Sequence, residues 1–492
     1  MKKTFTKGGT LMDIVSLVET FLKSIFEAKE KFFEKPEDLA SFEQLISDAS
    51  NKMAADFIGM SLTELDSYLM ANSKRQERFI VQRKRERNMI STVGDLCFER
   101  TYCKDVETGE YRYLLDEIIK QPKHERFTPL AEAKAIYDST VYSYQDAADR
   151  LTVGEQSVTK SAIKDKEHNI PEDVLEEMEK RQMPSQKKFV DYLYIEADED
   201  HIHRQDKSVS DGCITGKLIY VFEGKESVRE GKRILISPHY FGGIYAGSDP
   251  NRFLWESVQR YIAGHYEEDF LKKVYISSDG GGWIKASKEY IDKGVLVADR
   301  FHLMKYINRV SNYMLDESDI TKERFYKYIY QNKLLAAKKL LTRIKNSAGH
   351  DEVIEQTRVY FENNWEEIQR AFHDRNVYGC SAEGHVSNVY SDRMSSRPMG
   401  WSEVGSDRMC KLRCFVRNYG KAKVINLVEY RREKELLKYK ATGTEDIVPV
   451  TPKRKYTKEQ LEILSYADKM YVSLSGMTVK KTLAIRERLS DI

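Results

Sequence analysis

The sequence predicts an α/β domain built on a mixed sheet, with a helical insertion inside it and a helical region and a helix-turn-helix ahead of it. Three observations carry that expectation. Residues 188–302 read as three adjacent strands followed by helix, strand, helix and strand, because short apolar runs alternate there with helical spacing. Residues 303–375 change to an apolar period of three and four. Residues 11–90 and 143–166 carry that same helical period before the first central strand.

At 492 residues the chain has room for roughly two to four domains. Its 80 basic and 78 acidic side chains leave a net +2, so no global field announces a partner. A chain 32% charged and 41% hydrophobic argues against wholesale disorder, and ten prolines with 26 glycines exclude a fibrous or linker-dominated one. No apolar run approaches the roughly 18 residues a membrane span needs. A signal peptide is not expected, because Asp13 and Glu19 interrupt the first apolar run. Six cysteines, sparse and without a CxxC pair, fit a reduced intracellular compartment.

The elements follow in order. Residues 1–90 read as a helical region, with Ile14, Leu17, Val18, Phe21 and Leu22 on one face and Leu62, Leu65, Tyr68 and Leu69 on another. Charge is unevenly placed along the chain. Residues 11–50 hold 4 basic and 9 acidic side chains (net −5), residues 71–90 hold 7 and 2 (net +5), and residues 391–440 hold 13 and 6 (net +7). Such basic blocks suit a phosphate-binding surface, and a solvated helical face is the alternative for each. Residues 91–128 suggest a small β-hairpin around Glu107 to Gly109, partly flanked by Cys97 and Cys103, which without nearby partners read as packed thiols, with zinc ligands as the alternative.

Residues 129–184 read as a helix-turn-helix and linker. Ser143 is placed to cap a first helix containing Ala147, Ala148 and Leu151, and Val153-Gly154 makes a turn. A second helix follows with Val158 and Ile163 inward, leaving Gln156, Ser157, Thr159 and Lys160 outward, residue types able to reach bases and phosphates. Two ordinary packed helices are the alternative.

In the central region Val190, Leu193, Ile195 and Ala197 mark a strand that ends in acids, and residues 217–224 and 232–243 mark two more. Residues 251–266 are helical. Two further strands end at Asp279 and Asp299. Carboxyl ends of strands are where α/β sheets place their chemistry. Asp198 and Asp279 would share one rim, where two carboxylates repel unless a hard divalent cation joins them; turn residues are the alternative. After the insertion, residues 376–420 return to the sheet domain, with Glu383 where a new helix begins, and residues 421–492 form a basic helical C-terminal region.

Taken together, Asp198 in YIEADEDHIHRQ, Asp279 in ISSDGGGWI, VADRFHLMKYINR and the AEGHVSN…SSRPMGWS block resemble bacterial insertion-sequence transposases of the ISLre type. These are DDE transposases with a ribonuclease H-like catalytic domain, here residues 188–302 plus 376–420. The resemblance implies a catalytic and metal-binding triad of Asp198, Asp279 and Glu383. Asp299 to His302 is similar to a signature of mutator-like relatives and would bring His302 near the site. The first block is more acidic than the family's usual pattern, which makes Asp200 a possible substitute ligand. The resemblance further implies two Mg²⁺ ions (Mn²⁺ as a substitute), terminal inverted repeats and target DNA as partners, a homodimer or higher oligomer, and a cytoplasmic, nucleoid-associated location.

Lys305, Arg309, Arg393, Arg397, Arg408, Lys411 and Arg413 are candidates to hold phosphates, with plain surface charge as the alternative. Trp401 is either a base-stacking platform or a buried core residue. Two rival readings stand beside the transposase. One is a non-catalytic helix-turn-helix regulator derived from a transposase, and the other is a structure-selective nuclease of the same fold.

Overall fold

Contacts within the chain gather into two units, each assembled from separate segments. The computed structural model describes residues 14–206, 212–229, 232–348, 351–397 and 399–437. The expected basic helical region 421–492 is therefore seen only as the 3-10 turn Lys421–Lys423 and the helix Val424–Leu437, and residues 438–492 lie outside the described residues.

The first unit comprises residues 1–131, 150–157 and 432–492. Its helix Ile14–Glu34 stops before Pro36, and Asp38 caps the long helix Leu39–Ala71 by accepting from the Ser41 N–H. Strands β1 (Phe79–Ser91), β2 (Gly94–Asp105) and β3 (Tyr111–Tyr113) form an antiparallel sheet in the order β1-β2-β3. The helical reading of residues 1–90 is thus corrected: the helices end at Arg78, and the basic run continues as strand β1. The reason lies in its burial. Residues 80–86 are exposed on both faces, so they show neither a helical nor an alternating apolar period. The expected turn at Glu107 to Gly109 is present between β2 and β3, with Gly109 at φ 74°. The long helix lies on β2 through Gly59, where a Cβ would come within 2.3 Å of the Cys97 carbonyl oxygen.

The second unit comprises residues 132–149 and 158–431. Its five-stranded sheet uses β4 (Tyr192–His203), β5 (Cys213–Phe222), β8 (His239–Ile244), β9 (Lys273–Ser278) and β10 (Gly294–Ala298). The order is β10-β9-β4-β5-β8, with β4, β5 and β8 antiparallel and β9 and β10 parallel to β4. A hairpin of β6 (Gly224–Arg229) and β7 (Lys232–Ile236) interrupts the meander. The single strand expected over residues 232–243 is therefore two, broken where Ser237 takes φ 49° before Pro238.

Strand alternation sorts the two faces of the sheet. Leu193, Ile195 and Ala197 of β4 pack with Trp255, Val258 and Ile262 of the helix Ser248–His265. Tyr194 of β4, Tyr275 of β9 and Val297 of β10 belong to the opposite cluster. That cluster also takes in the insertion helices Arg300–Ser311, Ser318–Tyr330, Leu334–Ala348 and Asp351–His373. No described helix is long and apolar enough to cross a membrane.

Candidate active site

Three aspartates stand level on the parallel half of the sheet. The offset of 81 residues that pairs Glu196 with Ser277 also relates Asp198 to Asp279. The offset of 20 that pairs Ala298 with Ser278 relates Asp279 to Asp299. All three share the parity of Tyr194, Tyr275 and Val297, so they project to the face that the insertion helices cover. Asp198 does not end its strand as expected: β4 continues to His203, and it is the parallel neighbour β9 that stops beside Asp198.

The level placement has an electrostatic cost. Burial, together with the carboxylates of Asp279 and Glu383, raises the Asp198 carboxyl to about 6, against the Glu199 N–H and His302. Each acid is held by the protein. The Glu199 N–H donates to Asp198 at 2.8 Å, and the Gly281 N–H donates to Asp279 at 2.8 Å. Gly280 makes this loop with φ 105°, lying so close to Tyr360 and Asn364 of the insertion that a Cβ would crowd both.

Asp299 caps the helix Arg300–Ser311 by accepting from the Phe301 N–H at 2.8 Å, while its other oxygen meets His302 Nδ1 at 2.8 Å. That hydrogen bond, with the charges of Asp299, Asp279 and Asp198, raises His302 above the usual imidazole range. Glu383 lies on the short helix Ala382–Val386 with its side chain 62% exposed and 3.3 Å from Lys305. Among the described residues no three acids, histidines or cysteines yet stand as a metal cage. The donor set is nevertheless all oxygen and one histidine, with burial and neighbouring carboxylates disfavouring ionisation of Asp198, which is the chemistry that suits a hard divalent ion.

Two features escaped the sequence reading. Glu196, one turn of the pleat before Asp198, is buried and accepts from the Ser381 N–H (2.7 Å), the Ser381 hydroxyl (2.9 Å), Lys225 (2.7 Å) and the Tyr220 hydroxyl. Because Ser381 opens the helix of Glu383, this carboxylate anchors that helix to β4. His385 on the same helix meets the Tyr240 hydroxyl at 2.9 Å. A glutamate inside the apolar run YIEAD was the available signal, since a buried carboxylate needs internal partners. Tyr360, buried with no hydrogen-bond partner for its hydroxyl, lies near Asp299 and Asp279; nothing in its helical surroundings marked it.

The residues assigned to DNA fare differently. The helices Tyr144–Leu151 and Lys160–His168 form with Ala147, Ala148, Leu151, Val158 and Ile163 buried. The second helix begins later than expected, because Thr159 caps it, its hydroxyl accepting from the Ala162 N–H at 3.2 Å. Gln156 and Ser157 therefore precede the helix. The Gln156 N–H donates to Asp95 and its side chain accepts from Arg126 at 2.8 Å, which leaves Ser157, Lys160 and the capping Thr159 as the exposed members.

Arg393 is corrected from a phosphate ligand to a core residue: it is buried, donates to the Ser139 carbonyl at 2.8 Å, and lies over the Tyr144 and Trp401 rings. Arg413 is likewise turned inward, donating to the carbonyls of Asn388, Val389 and Thr140, and burial lowers it to about 10. Lys411 is taken by Asp407 (2.9 Å) and Glu172. Trp401 is buried, its ring N–H donating to the Met394 carbonyl. Arg397, Lys305 and Arg309 remain exposed. Cys103 is buried 3.8 Å from Met70 and Cys97 is exposed; all six cysteines are free.

These features define a mixed α/β protein whose sheet carries a line of carboxylates across its parallel half. The chain belongs to the uncharacterised protein family UPF0236, which matches residues 37–431. It is similar to UPF0236 proteins of Caldanaerobacter subterraneus subsp. tengcongensis. One is 31% identical over 432 residues, covering 85% of this chain and 88% of the relative, and its name joins eleven loci of that genome. Another is 31% identical over 456 residues, covering 89% and 88%, and its name joins two loci. The Drosophila P element transposase strand transfer complex aligns with 64% of this chain and 86% of its own at 11% identity and a TM-score of 0.25, a likeness too slight to carry an argument.

Proposed function

We propose that this chain is a DDE transposase of a bacterial insertion sequence, ribonuclease H-like in its sheet domain, that binds terminal inverted repeats and performs Mg²⁺-dependent DNA cleavage and strand transfer. The observation that carries the reading is the set of Asp198, Asp279 and Glu383, drawn from three distant parts of the chain and close enough that the latter two add to the burial that raises Asp198 to about 6. The mixed sheet supports it, since three antiparallel strands followed by two parallel ones are compatible with a ribonuclease H-like domain. The copy number of relatives supports it too: a name shared by eleven loci is the distribution of a mobile sequence.

Asp198, Asp279 and Glu383 would hold the metal. Two Mg²⁺ ions bound there would supply activation of an attacking oxygen and stabilisation of a leaving one. The protein's own groups do the rest. Gly281 and Glu199 fix the carboxylates of Asp279 and Asp198 through main-chain N–H groups. Asp299 holds His302 by Nδ1, which leaves Nε2 to carry a proton at the site. Lys305, now beside Glu383, is free to neutralise a phosphate when that acid turns to the metal.

The test is strand nicking by the full chain on duplexes carrying the inverted repeats that flank its coding region. Wild type should nick and join with Mg²⁺, whereas Asp198→Asn and Glu383→Gln should bind the ends normally and lose roughly 10³-fold or more in rate. Equal cutting of unrelated branched DNA would favour the nuclease. Tight end binding without nicking by wild type would favour the regulator.

A further inference from the structure

The basic run from Lys74 to Arg87 has no part in the site above, and the fold separates its cations into two groups. Arg78 is paired with Asp105 at 2.9 Å, Arg87 with Asp116 at 2.7 Å, and the buried Arg75 donates to the Phe79 carbonyl. Arg83, Lys84 and Arg85 instead stand exposed on β1, an edge strand of its sheet. Lys84 meets Glu99 at 3.6 Å, both exposed. Arg83 and Arg85 have no acidic partner among the described residues.

Register puts these two arginines on one face. Arg83 lies opposite Tyr102 and Arg85 opposite Arg100, while Lys104, of the same parity on β2, lies opposite Tyr111 of β3. The tyrosines form a base for the cations. Tyr102 and Tyr111 stack at 5.4 Å, the Arg83 guanidinium sits 5.4 Å from the Tyr102 ring centre, and the Lys104 amine 5.9 Å from that of Tyr111. The acids within reach are already engaged: Asp116 by Arg87 and Arg100, and Glu110 by Arg112. What faces solvent is therefore a row of aligned cations whose charge is not cancelled locally.

We propose that this face, carrying Arg83, Arg85 and Lys104, docks the phosphate backbone of double-stranded DNA without regard to sequence. Charges on an edge strand also deter strand addition, but that purpose needs no alignment over an aromatic base. Tyr102 is covered by Tyr111 and by the Arg83 guanidinium, so of the two rings only Tyr111, 51% exposed, is open to an unstacked base, and one free ring beside a row of cations favours duplex backbone over single strands. The proposal rests on the reading that the chain works on DNA, and adds a contact surface separate from the helix-turn-helix.

The experiment measures binding of the full chain to a duplex lacking any element-end sequence, as a function of salt and without metal. Arg83→Gln/Arg85→Gln/Lys104→Gln should lower the slope of log affinity against log salt by about 2.7, near 0.9 for each lost phosphate contact, and weaken binding on the order of a hundredfold at moderate salt. Arg85→Gln alone, at an exposed side chain without an acidic partner among the described residues, should lower the slope by about 0.9 and keeps the test open if the triple variant fails to fold. Arg83→Lys/Arg85→Lys should retain the wild-type slope. An unchanged slope in the folded variants overturns the proposal. So does a loss confined to single-stranded DNA or RNA with duplex binding intact. Because no cleavage, metal or terminal repeat enters, this result is independent of whether Asp198 and Glu383 prove catalytic.

Discussion

The carboxylate line on the parallel half of the sheet and the basic segment 391–413 carry opposite charges, and the fold treats them in opposite ways. Asp198, Asp279 and Glu383 receive main-chain N–H groups and one exposed lysine, too little to offset the burial of Asp198 and the charges of the other two, and Asp198 rises to about 6. Arg393 and Arg413 are turned into the interior and given carbonyl oxygens and aromatic rings. Unresolved charge marks a place that awaits something from outside, whereas a charge with a full set of internal partners belongs to the architecture. By that criterion the acids remain candidates for a functional site while these two arginines belong to the architecture, although the sequence presented both alike.

The largest effect that would break the comparison is at Arg393. Arg393→Ala removes a buried cation over Tyr144 and Trp401 and leaves the Ser139 carbonyl without its donor, so stability should fall by about 3–5 kcal/mol. Arg397→Ala, at an exposed neighbour, should stay within about 0.5 kcal/mol. Denaturant unfolding of both variants beside DNA binding decides the matter. An Arg393→Ala protein of wild-type stability that has lost only its DNA affinity would restore the phosphate-ligand role.

How legible each region was follows from the same physics. Asp279 and Asp299 could be read because an apolar parallel strand stops at the residue before each, a pattern that depends on sequence alone. Asp198 was singled out as the end of its strand, yet β4 runs on, and only the register with β9 sets the residue level with Asp279. The basic strand β1 was read as helix because an edge strand exposed on both faces leaves no apolar period to detect. Burial of Arg393 and Arg413 was invisible, since an arginine on a helix looks the same in sequence whether it faces water or main-chain carbonyls. The late start of the second helix turned on one hydroxyl, that of Thr159.

A second prediction concerns Glu167, the acid on the structural side of the comparison. Burial pushes it to about 7, against the hydrogen bond from Tyr144 and the charges of Arg393 and Arg408. Its folded value lies above the unfolded value near 4.5, so its contribution to stability is complete below about pH 4.5 and is lost as pH rises through about 7. At roughly 1.4 kcal/mol per unit, that loss amounts to about 3 kcal/mol. Glu167→Gln keeps an acceptor for Tyr144 and cannot ionise. Its stability relative to wild type should therefore grow between pH 5 and pH 8, as measured by denaturant unfolding. A constant difference across that range would mean that Glu167 is not held neutral by burial.

The smallest effect sharpens the comparison, because Glu196 is a buried acid that serves the site through its partners. Its two oxygens divide four donors: Lys225 on one, and the Ser381 N–H, Ser381 hydroxyl and Tyr220 hydroxyl on the other. Glutamine has one acceptor oxygen and one donor group, so whichever way the amide turns, either Lys225 or Ser381 faces an N–H. The helix of Glu383 should then lose its fixed entry, and nicking should fall about 10–100-fold, the usual cost of disturbing the groups that orient a metal ligand. Mn²⁺ affinity, followed by electron paramagnetic resonance, should weaken in parallel. Ser381→Ala removes only the hydroxyl and should cost less than about tenfold. If Glu196→Gln lowers only the melting temperature, leaving nicking and Mn²⁺ affinity per folded molecule at wild-type values, then Glu196 belongs with Arg393 among the structural charges. Glu383 would in that case owe its position to His385 and Tyr240 instead.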